Sequence, residues 1–373
     1  MSNINRIYSS NTIRSVALSL IGIYIPIYLL TLGYTLSEVI VFFTLTHVCA
    51  LLIGLFVIVP LLKKYGPITV LKCSFLLQIF FLSLLLILDS TPFPLFFLAL
   101  INGAQNMAYW MPLNLLFIKN SDKNSMGGNL GKFFALPKFF GIFGPLLSAV
   151  LIPLVGFLPV FILAVFGLGV SYIPLLKIPN QSIQIPLNFN NAWKRLRKQK
   201  TLFLLEGLDN IIEESEWFWG IYVYLLIGSL STPGIIGSLE AIGGALFTIF
   251  VGKYANKHAK KIIPIGAVLV ILIMTLRIFI TDTVTAYSIT VIASFVMTLF
   301  LVSYFTSIYK TVKGEDEEEF IILREIPTVF GRLVVFGGIL LTLNYLNLFF
   351  LTPVIFTGLL LLLYFWKQKL LVQ

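Results

Sequence analysis

The sequence is poor in charged residues and has almost no cysteine. Only 11% of its 373 residues are Asp, Glu, Lys or Arg, whereas 58% are hydrophobic. A soluble domain needs a far more charged surface than this, so an ordinary soluble fold is excluded. The two cysteines, Cys49 and Cys73, do not indicate a disulfide framework, and we interpret both as small buried side chains.

Signatures of several enzyme classes are also missing. The sequence has no phosphate-binding G-x-x-x-x-G-K-[ST] loop, no dinucleotide-binding G-x-G-x-x-G turn and no H-E-x-x-H zinc motif. ATP-driven work within this chain and metalloprotease chemistry therefore lack support. We expect a protein that is not an enzyme and that holds no cofactor or metal.

Apolar runs of about 20 residues, the length that crosses a bilayer as a helix, fill most of the chain. The first run has no small-residue cleavage site and is followed directly by another, so we expect it to stay in place as helix one. The sequence predicts an all-α, polytopic membrane protein with twelve transmembrane helices. The twelve runs are 12–33, 37–62, 68–88, 93–118, 130–152, 156–176, 202–230, 233–255, 261–281, 284–310, 320–343 and 348–366.

Lysine and arginine occur in the loops on one side of these predicted helices. The loops after even-numbered spans are basic, as at Lys63 and Lys64, whereas the loops near 34, 90, 155, 231, 282 and 345 carry no Lys or Arg. By the positive-inside rule, both termini are predicted to be cytoplasmic in a multi-pass protein of the cell membrane. The net charge of +10 is therefore a signal of topology, and we expect no nucleic-acid partner.

Two six-helix halves are predicted, 1–176 and 202–373, joined by the cytoplasmic linker 177–201. Gly22-Ile23-Tyr24 recurs at Gly220-Ile221-Tyr222, and Pro137-x-x-Phe140-Gly141 recurs as Pro327-x-x-Phe330-Gly331. The similar offsets favour parallel repeats. The linker contains NAWKRLRKQK, which suits a short helix on the inner membrane surface or a solvated connection.

This arrangement resembles the major facilitator superfamily of secondary transporters over the whole chain. That family has a G-x-x-x-D-[RK]-x-G-[RK]-[RK] motif after helix two, echoed after helix eight. Both copies lack the carboxylate here: the first reads Val59, Lys63, Lys64 and Gly66, and the second reads Gly252, Asn256, Lys257, Ala259, Lys260 and Lys261. The resemblance implies alternating access, with a monomer as the expected unit. It places candidate gating residues at Asn256, Lys257, Lys63 and Lys64.

Carboxylates interrupt the seventh predicted span. A spanning helix needs about 20 residues, and counting back that far from Leu230 puts Glu213, Glu214 and Glu216 within the membrane. At about 100° per residue, Glu214 points away from the other acids. The remaining acidic stripe comprises Glu206, Asp209, Glu213 and Glu216, beside Trp217, Gly220 and Tyr224. Ionisable groups at this depth are a functional-site hypothesis by default.

Arg332 is predicted near mid-membrane in helix eleven, where a guanidinium requires an acidic partner. We expect it to pair with Glu213 or Glu216, leaving the other carboxylate to exchange protons. Proton coupling would then involve Glu213, Glu216, Asp209 and Arg332. A static ion-pair network is the alternative.

The resemblance also implies a central cavity lined by helices one, four, seven and ten. Candidate solute-binding residues are Asn102, Asn106, Tyr109, Tyr24, Trp217 and Tyr224. Alternatively, the Asn and Tyr side chains only bond helices together. We expect a small organic solute, with efflux of cationic or amphipathic compounds preferred over uptake of a sugar or organic anion. From another class, a transporter-like scaffold or lipid-handling protein stays open.

Four further sites carry charged or titratable residues. Glu240 and Arg277 are expected to form a structural pair near the outer surface. Lys138 either extends to the membrane surface or meets an acid across the cavity. His47 either titrates near neutrality or bonds a neighbouring helix. The acidic run 315–319 is expected to be solvated, with an inner gate as the alternative.

Overall fold

A computed structural model describes residues 3–91, 93–121, 123–179, 194, 197, 199–314 and 317–366. All regular structure in these ranges is helical. Fourteen helices are described: α1 (Asn3–Ser19), α2 (Ile25–Thr31), α3 (Leu36–Ile53), α4 (Val59–Ile87), α5 (Leu95–Asn120), α6 (Met126–Gly141), α7 (Phe143–Val155), α8 (Phe157–Leu176), α9 (Lys200–Ile227), α10 (Thr232–Arg277), α11 (Thr283–Val312), α12 (Glu317–Leu323), α13 (Glu325–Leu341) and α14 (Leu351–Trp366).

The helices begin and end at residues with a clear local cause. Thr35 and Glu38 form a reciprocal capping box at the start of α3. The Asp282 carboxylate accepts from the backbone N–H of Thr285, 3.0 Å away, at the start of α11. Gly228 follows α9 with a φ of 75°, a left-handed conformation that favours glycine. The apolar runs are therefore cut into helices by short polar or glycine-containing turns.

Two long helices contain chain reversals. Within α4, Gly66 has a φ of 75° and a ψ of 164°, so the helix breaks there. In α10, a Cβ at Gly243 would touch Ser294 and one at Gly266 would touch Phe300. Ser294 and Phe300 are only about 9 Å apart along α11 at 1.5 Å per residue, so α10 must fold back between the two glycines.

Seven helical segments are long and apolar enough to cross a membrane. They are Asn5–Thr31, Leu36–Ile87, Lys123–Val155, Phe157–Leu176, Phe247–Arg277, Thr283–Val312 and Leu346–Phe365. Helix α9 is long enough but carries five carboxylates, and it is not among them. By length and composition, the chain is a multi-pass membrane protein.

Helix α9 is surrounded by other helices. It packs against α13 and α14 and also contacts α10 and α11. Elsewhere, α6 and α7 run along α10, and α3 packs on α13, so the N-terminal and C-terminal helices meet along two seams. Charged residues described below lie at both seams.

Part of the sequence-based expectations falls outside the described residues. Trp193, Arg195 and Lys198 of the predicted linker helix lie there, as do Glu315 and Asp316 of the acidic run.

The two cysteines are free: Cys49 is buried as expected, whereas Cys73 is exposed, which corrects the expectation that it is buried. Cys73 lies in the part of α4 that follows Gly66, on a side that neighbouring helices leave uncovered.

Candidate functional site

The five carboxylates of α9 divide into three that are paired and two that are not. Three arginines from other helices reach α9 and neutralise Glu206, Glu214 and Glu216. A guanidinium is the cation best suited to bind a carboxylate away from water. Its N–H groups lie in one plane and can donate to both carboxylate oxygens at once. The partners decide what each acid can do.

Arg277 pairs with Glu216. Its Nη1 and Nη2 donate to the two carboxylate oxygens at 2.6 and 3.0 Å, and Arg277 itself is fully buried. Its guanidinium carbon lies 4.4 Å from the ring of Trp219. The expectation that Arg277 pairs with Glu240 was therefore wrong. Arg277 is the last residue of α10, and from this position its side chain reaches an acid of α9.

Arg332 pairs with Glu214, the acid that the helical wheel set aside. The Nε of Arg332 lies 3.1 Å from Glu214 Oε2, so the expected pairing with Glu213 or Glu216 was wrong. The wheel assumed one protein-facing stripe, whereas α9 has helices on several sides. Glu214 faces the side where α13 packs.

His47 of α3 completes a three-residue cluster with Arg332 and Glu214. Its Nδ1 lies 3.1 Å from Arg332 Nη1, and its Nε2 lies 3.8 Å from Glu214 Oε1. The imidazole also stacks on Phe336, with ring centroids 5.4 Å apart. Because α3 belongs to the first half of the chain and α9 and α13 to the second, this cluster joins the two.

Arg324, between α12 and α13, pairs with Glu206 at 2.9 Å and donates to the Tyr309 hydroxyl at 3.0 Å. Asp209, one turn further along α9, is fully buried, and neither carboxylate oxygen has a hydrogen-bond partner among the residues that the structure describes. Glu213 is exposed and forms no ion pair with any described residue. Asp209 and Glu213 are therefore the two unpaired acids of α9.

Lys138 of α6 approaches this acidic set from the first half. A Cβ at Gly244 would lie 3.0 Å from its Nζ, so the ammonium reaches α10. It interacts electrostatically with Glu240, Glu213 and Glu216. Of the two interpretations of Lys138, the geometry favours an acid across the cavity over extension to the surface.

The candidate solute-binding residues are not gathered in one place. Tyr24 is buried, and its hydroxyl donates to the Leu230 carbonyl at 3.0 Å and accepts from Gly234 N–H at 3.1 Å. Asn102 accepts from Gln105 at 2.9 Å, and because both residues lie on α5 this bond does not join two helices. Trp217 stands apart from these, with its ring centroid 4.5 Å from that of Phe43. Asn106 and Tyr224 are both half-buried.

Tyr109 lies in a buried cluster that includes a residue missed from the sequence. Its hydroxyl donates to the Asn11 side chain, and the guanidinium carbon of Arg14 lies 3.4 Å from its ring centroid. Arg14 also reaches Gln78 at 3.4 Å. Within the described ranges, Arg14 contacts no carboxylate. Its position inside the first predicted span, 12–33, was the signal in the sequence that could have found it.

Contacts between residues distant in the chain also join α5 and α6 with α10, α12 and the end of α11. The Asn256 side-chain oxygen accepts from the Gly127 backbone N–H at 2.8 Å, and Lys119 pairs with Glu318 at 2.6 Å. Lys313 donates to the Ile118 carbonyl at 2.6 Å, near the end of α5. Lys63, Lys64 and Lys257 are exposed, so among the candidate gating residues Asn256 is the one seen bridging the halves.

Solved structures with the same arrangement are transporters. A bacterial homologue of the iron transporter ferroportin, in an outward-facing state, aligns with 99% of this chain and 100% of its own at a TM-score of 0.73 and 12% identity. The major facilitator superfamily transporter FucP, in the outward conformation, aligns with 97% of both chains at a TM-score of 0.70 and 12% identity. The nucleoside transporter NupG aligns with 100% of this chain and 100% of its own at a TM-score of 0.67 and 14% identity.

Sequence comparison adds nothing to this. No protein-family profile matches the chain, and no curated protein matches it. The resemblance to the major facilitator superfamily is thus confirmed at the level of the fold, over the full length of the chain.

Proposed function

We propose that this protein is a secondary active transporter that moves a small organic solute by alternating access. It would use twelve transmembrane helices in two bundles, 1–176 and 202–373, with both termini cytoplasmic in a cell membrane. The observation that carries the proposal is the set of carboxylates on α9, in which two unpaired acids sit among three arginine-paired ones. A scaffold has no need of uncompensated acids inside a membrane, where they are costly.

Protons are the coupling ion in this proposal. Glu216 is held by Arg277, Arg332 by Glu214 and Glu206 by Arg324, so Glu213 and Asp209 are the acids of α9 with no described ion pair to lose when a proton binds. Asp209 is fully buried, and an ionised carboxylate without partners is costly there, whereas a protonated one is not. Glu213 is exposed and can exchange its proton with water. One solved protein with this fold is the fucose:proton symporter of E. coli, which supports proton coupling on this framework.

Efflux of a cationic or amphipathic compound stays the preferred activity. Glu213 offers it a negative charge that no described arginine neutralises, and Trp217 and Trp110 offer aromatic surface. Uptake of an organic anion or sugar is the second candidate, and the buried Arg14 without an acidic partner favours the anion. A non-transporting scaffold or lipid-handling protein would have no use for the negative charge of Glu213 or the positive charge of Arg14.

The experiment is transport into and out of liposomes that contain the purified protein. The panel would include tetraphenylphosphonium, choline, lactate, fucose and uridine, each with and without an imposed pH gradient. We expect the gradient to drive at least one solute above its equilibrium level. A panel in which no solute responds to the protein, with or without the gradient, would favour the scaffold.

A further inference from the structure

His47 carries chemistry that the proposed coupling acids do not use. It is 6% exposed, lies in the first half of the chain, and touches a charged residue of the second half on each ring nitrogen. Arg332 is a donor only, so the hydrogen bond at 3.1 Å requires His47 Nδ1 to accept. The neutral imidazole must then carry its proton on Nε2, the nitrogen that faces Glu214.

Adding a second proton to the imidazole of His47 is incompatible with its hydrogen bond from Arg332. Nδ1 would become a donor opposite another donor, and two positive charges would meet beside the same carboxylate. The imidazolium would at the same time attract Glu214, whose Oε1 already lies 3.8 Å from Nε2. Protonated His47 and Arg332 therefore compete for one acid.

We propose that His47 is a proton-binding residue whose protonation displaces Arg332 from Glu214 and so loosens the seam between α3 and α13. The displaced guanidinium has a second acid within electrostatic reach, because Glu325 lies two turns earlier on α13 and interacts with Arg332. The proton thus changes which helices the arginine connects. This assigns a role in the transport cycle to a residue of the first half, whereas the coupling acids all lie in the second.

The charged groups around His47 come from two helices. Glu214 approaches from α9 and Arg332 from α13. On α9 the neighbouring Glu213 interacts electrostatically with Glu214 and is the next acid in line. From α3 itself and from α5, which packs beside it, no described ionisable side chain makes a contact with the imidazole. The switch therefore depends on Glu214 and Arg332.

The test measures the distance between α3 and α13 as a function of pH, with no solute present. Spin labels would be placed at Val41 and Leu341, which are 43% and 89% exposed, after replacement of Cys49 and Cys73. As the pH is lowered from 8 toward the limit at which the protein stays folded, we expect a second, altered distance population to appear. His47→Gln should keep the pH 8 distribution throughout. His258→Gln is the matched control, because the chain has only two histidines, and it should retain the change.

A distance distribution that does not depend on pH in the unmodified protein would overturn the proposal, as would an unaltered pH response in His47→Gln. Nitrogen NMR of histidine-labelled protein carrying His258→Gln tests the starting state independently of folding effects. We expect Nε2 protonated and Nδ1 unprotonated at pH 8, and both protonated at the pH where the second distance population appears. The opposite neutral tautomer would contradict the hydrogen bond from Arg332.

The inference rests on the proposed function only for its link to transport. If proton-driven transport fails but the distance between the helices still responds to pH through His47, the switch stands and the transporter assignment falls. If transport is proton-driven but His47→Gln leaves the distance response intact, the switch falls alone.

Discussion

Arg277 and Glu216 form a two-point ion pair in which both terminal nitrogens of the guanidinium reach the carboxylate, at 2.6 and 3.0 Å. The pair ties the end of α10 to the middle of α9. Since Arg277 is fully buried, the pair acts mainly to neutralise a charge that cannot reach water. Glu216 is thus a structural acid, and this separates it from Glu213, three residues away.

Glu216→Gln is expected to destabilise the protein by about 3–5 kcal/mol, because it removes the carboxylate that forms the ion pair with a buried guanidinium. Thermal unfolding in detergent measures the loss. Glu318→Gln is the control, since Glu318 pairs with Lys119 where both side chains are partly exposed, at 20% and 34%. Such a pair contributes about 0–1 kcal/mol, so equal losses in the two variants would contradict the structural role of Glu216.

Arg14→Met should leave thermal stability unchanged or raise it. Arg14 is 7% exposed and has no acidic partner among the described residues, so its replacement removes a desolvation cost without orphaning a carboxylate. Arg277→Met, in contrast, strands Glu216 and should cost about 3–5 kcal/mol. Parallel melting curves compare the two. A loss in Arg14→Met as large as that in Arg277→Met would reveal an acid that Arg14 neutralises.

Gly127→Ala is expected to force α6 and α10 apart near the start of α6. A Cβ at Gly127 would collide with the Gly252 carbonyl and the Asn256 side-chain oxygen, whereas at Gly128 its nearest neighbour is 3.9 Å away. Overpacking of this kind costs about 1–3 kcal/mol. Maleimide labelling of a cysteine introduced at the fully buried Thr306 should accelerate in Gly127→Ala and not in Gly128→Ala. Equal labelling rates would show that the close approach is unimportant.

The sequence predicted the helical class, the likeness to major facilitator transporters and the acidic character of α9. These depend on hydropathy and on distance along one helix, which a linear count of about 1.5 Å per residue captures. The count placed Glu213, Glu214 and Glu216 within the membrane, and the structure puts all three near the middle of α9.

Partner choice could not be predicted, because it depends on which helices surround α9 and at what angle. Depth along the chain suggested Glu240 as the partner of Arg277, whereas the packing of α10 against α9 brings Arg277 to Glu216. The helical wheel set Glu214 aside because it gives the direction of each side chain but not the helices that surround α9. The cluster of His47, Glu214 and Arg332 unites residues 285 positions apart along the chain, and no local pattern encodes such a meeting.

Proton movement driven by solute, measured in liposomes that contain the protein and an internal pH-sensitive dye, tests the central claim most directly. We predict that a transported solute moves protons in the unmodified protein and in Glu38→Gln, a change of an exposed capping acid that glutamine can replace. Glu213→Gln should abolish the proton flux while the protein stays folded, because Glu213 has no ion pair to lose among the described residues. Undiminished proton flux in Glu213→Gln would contradict the account.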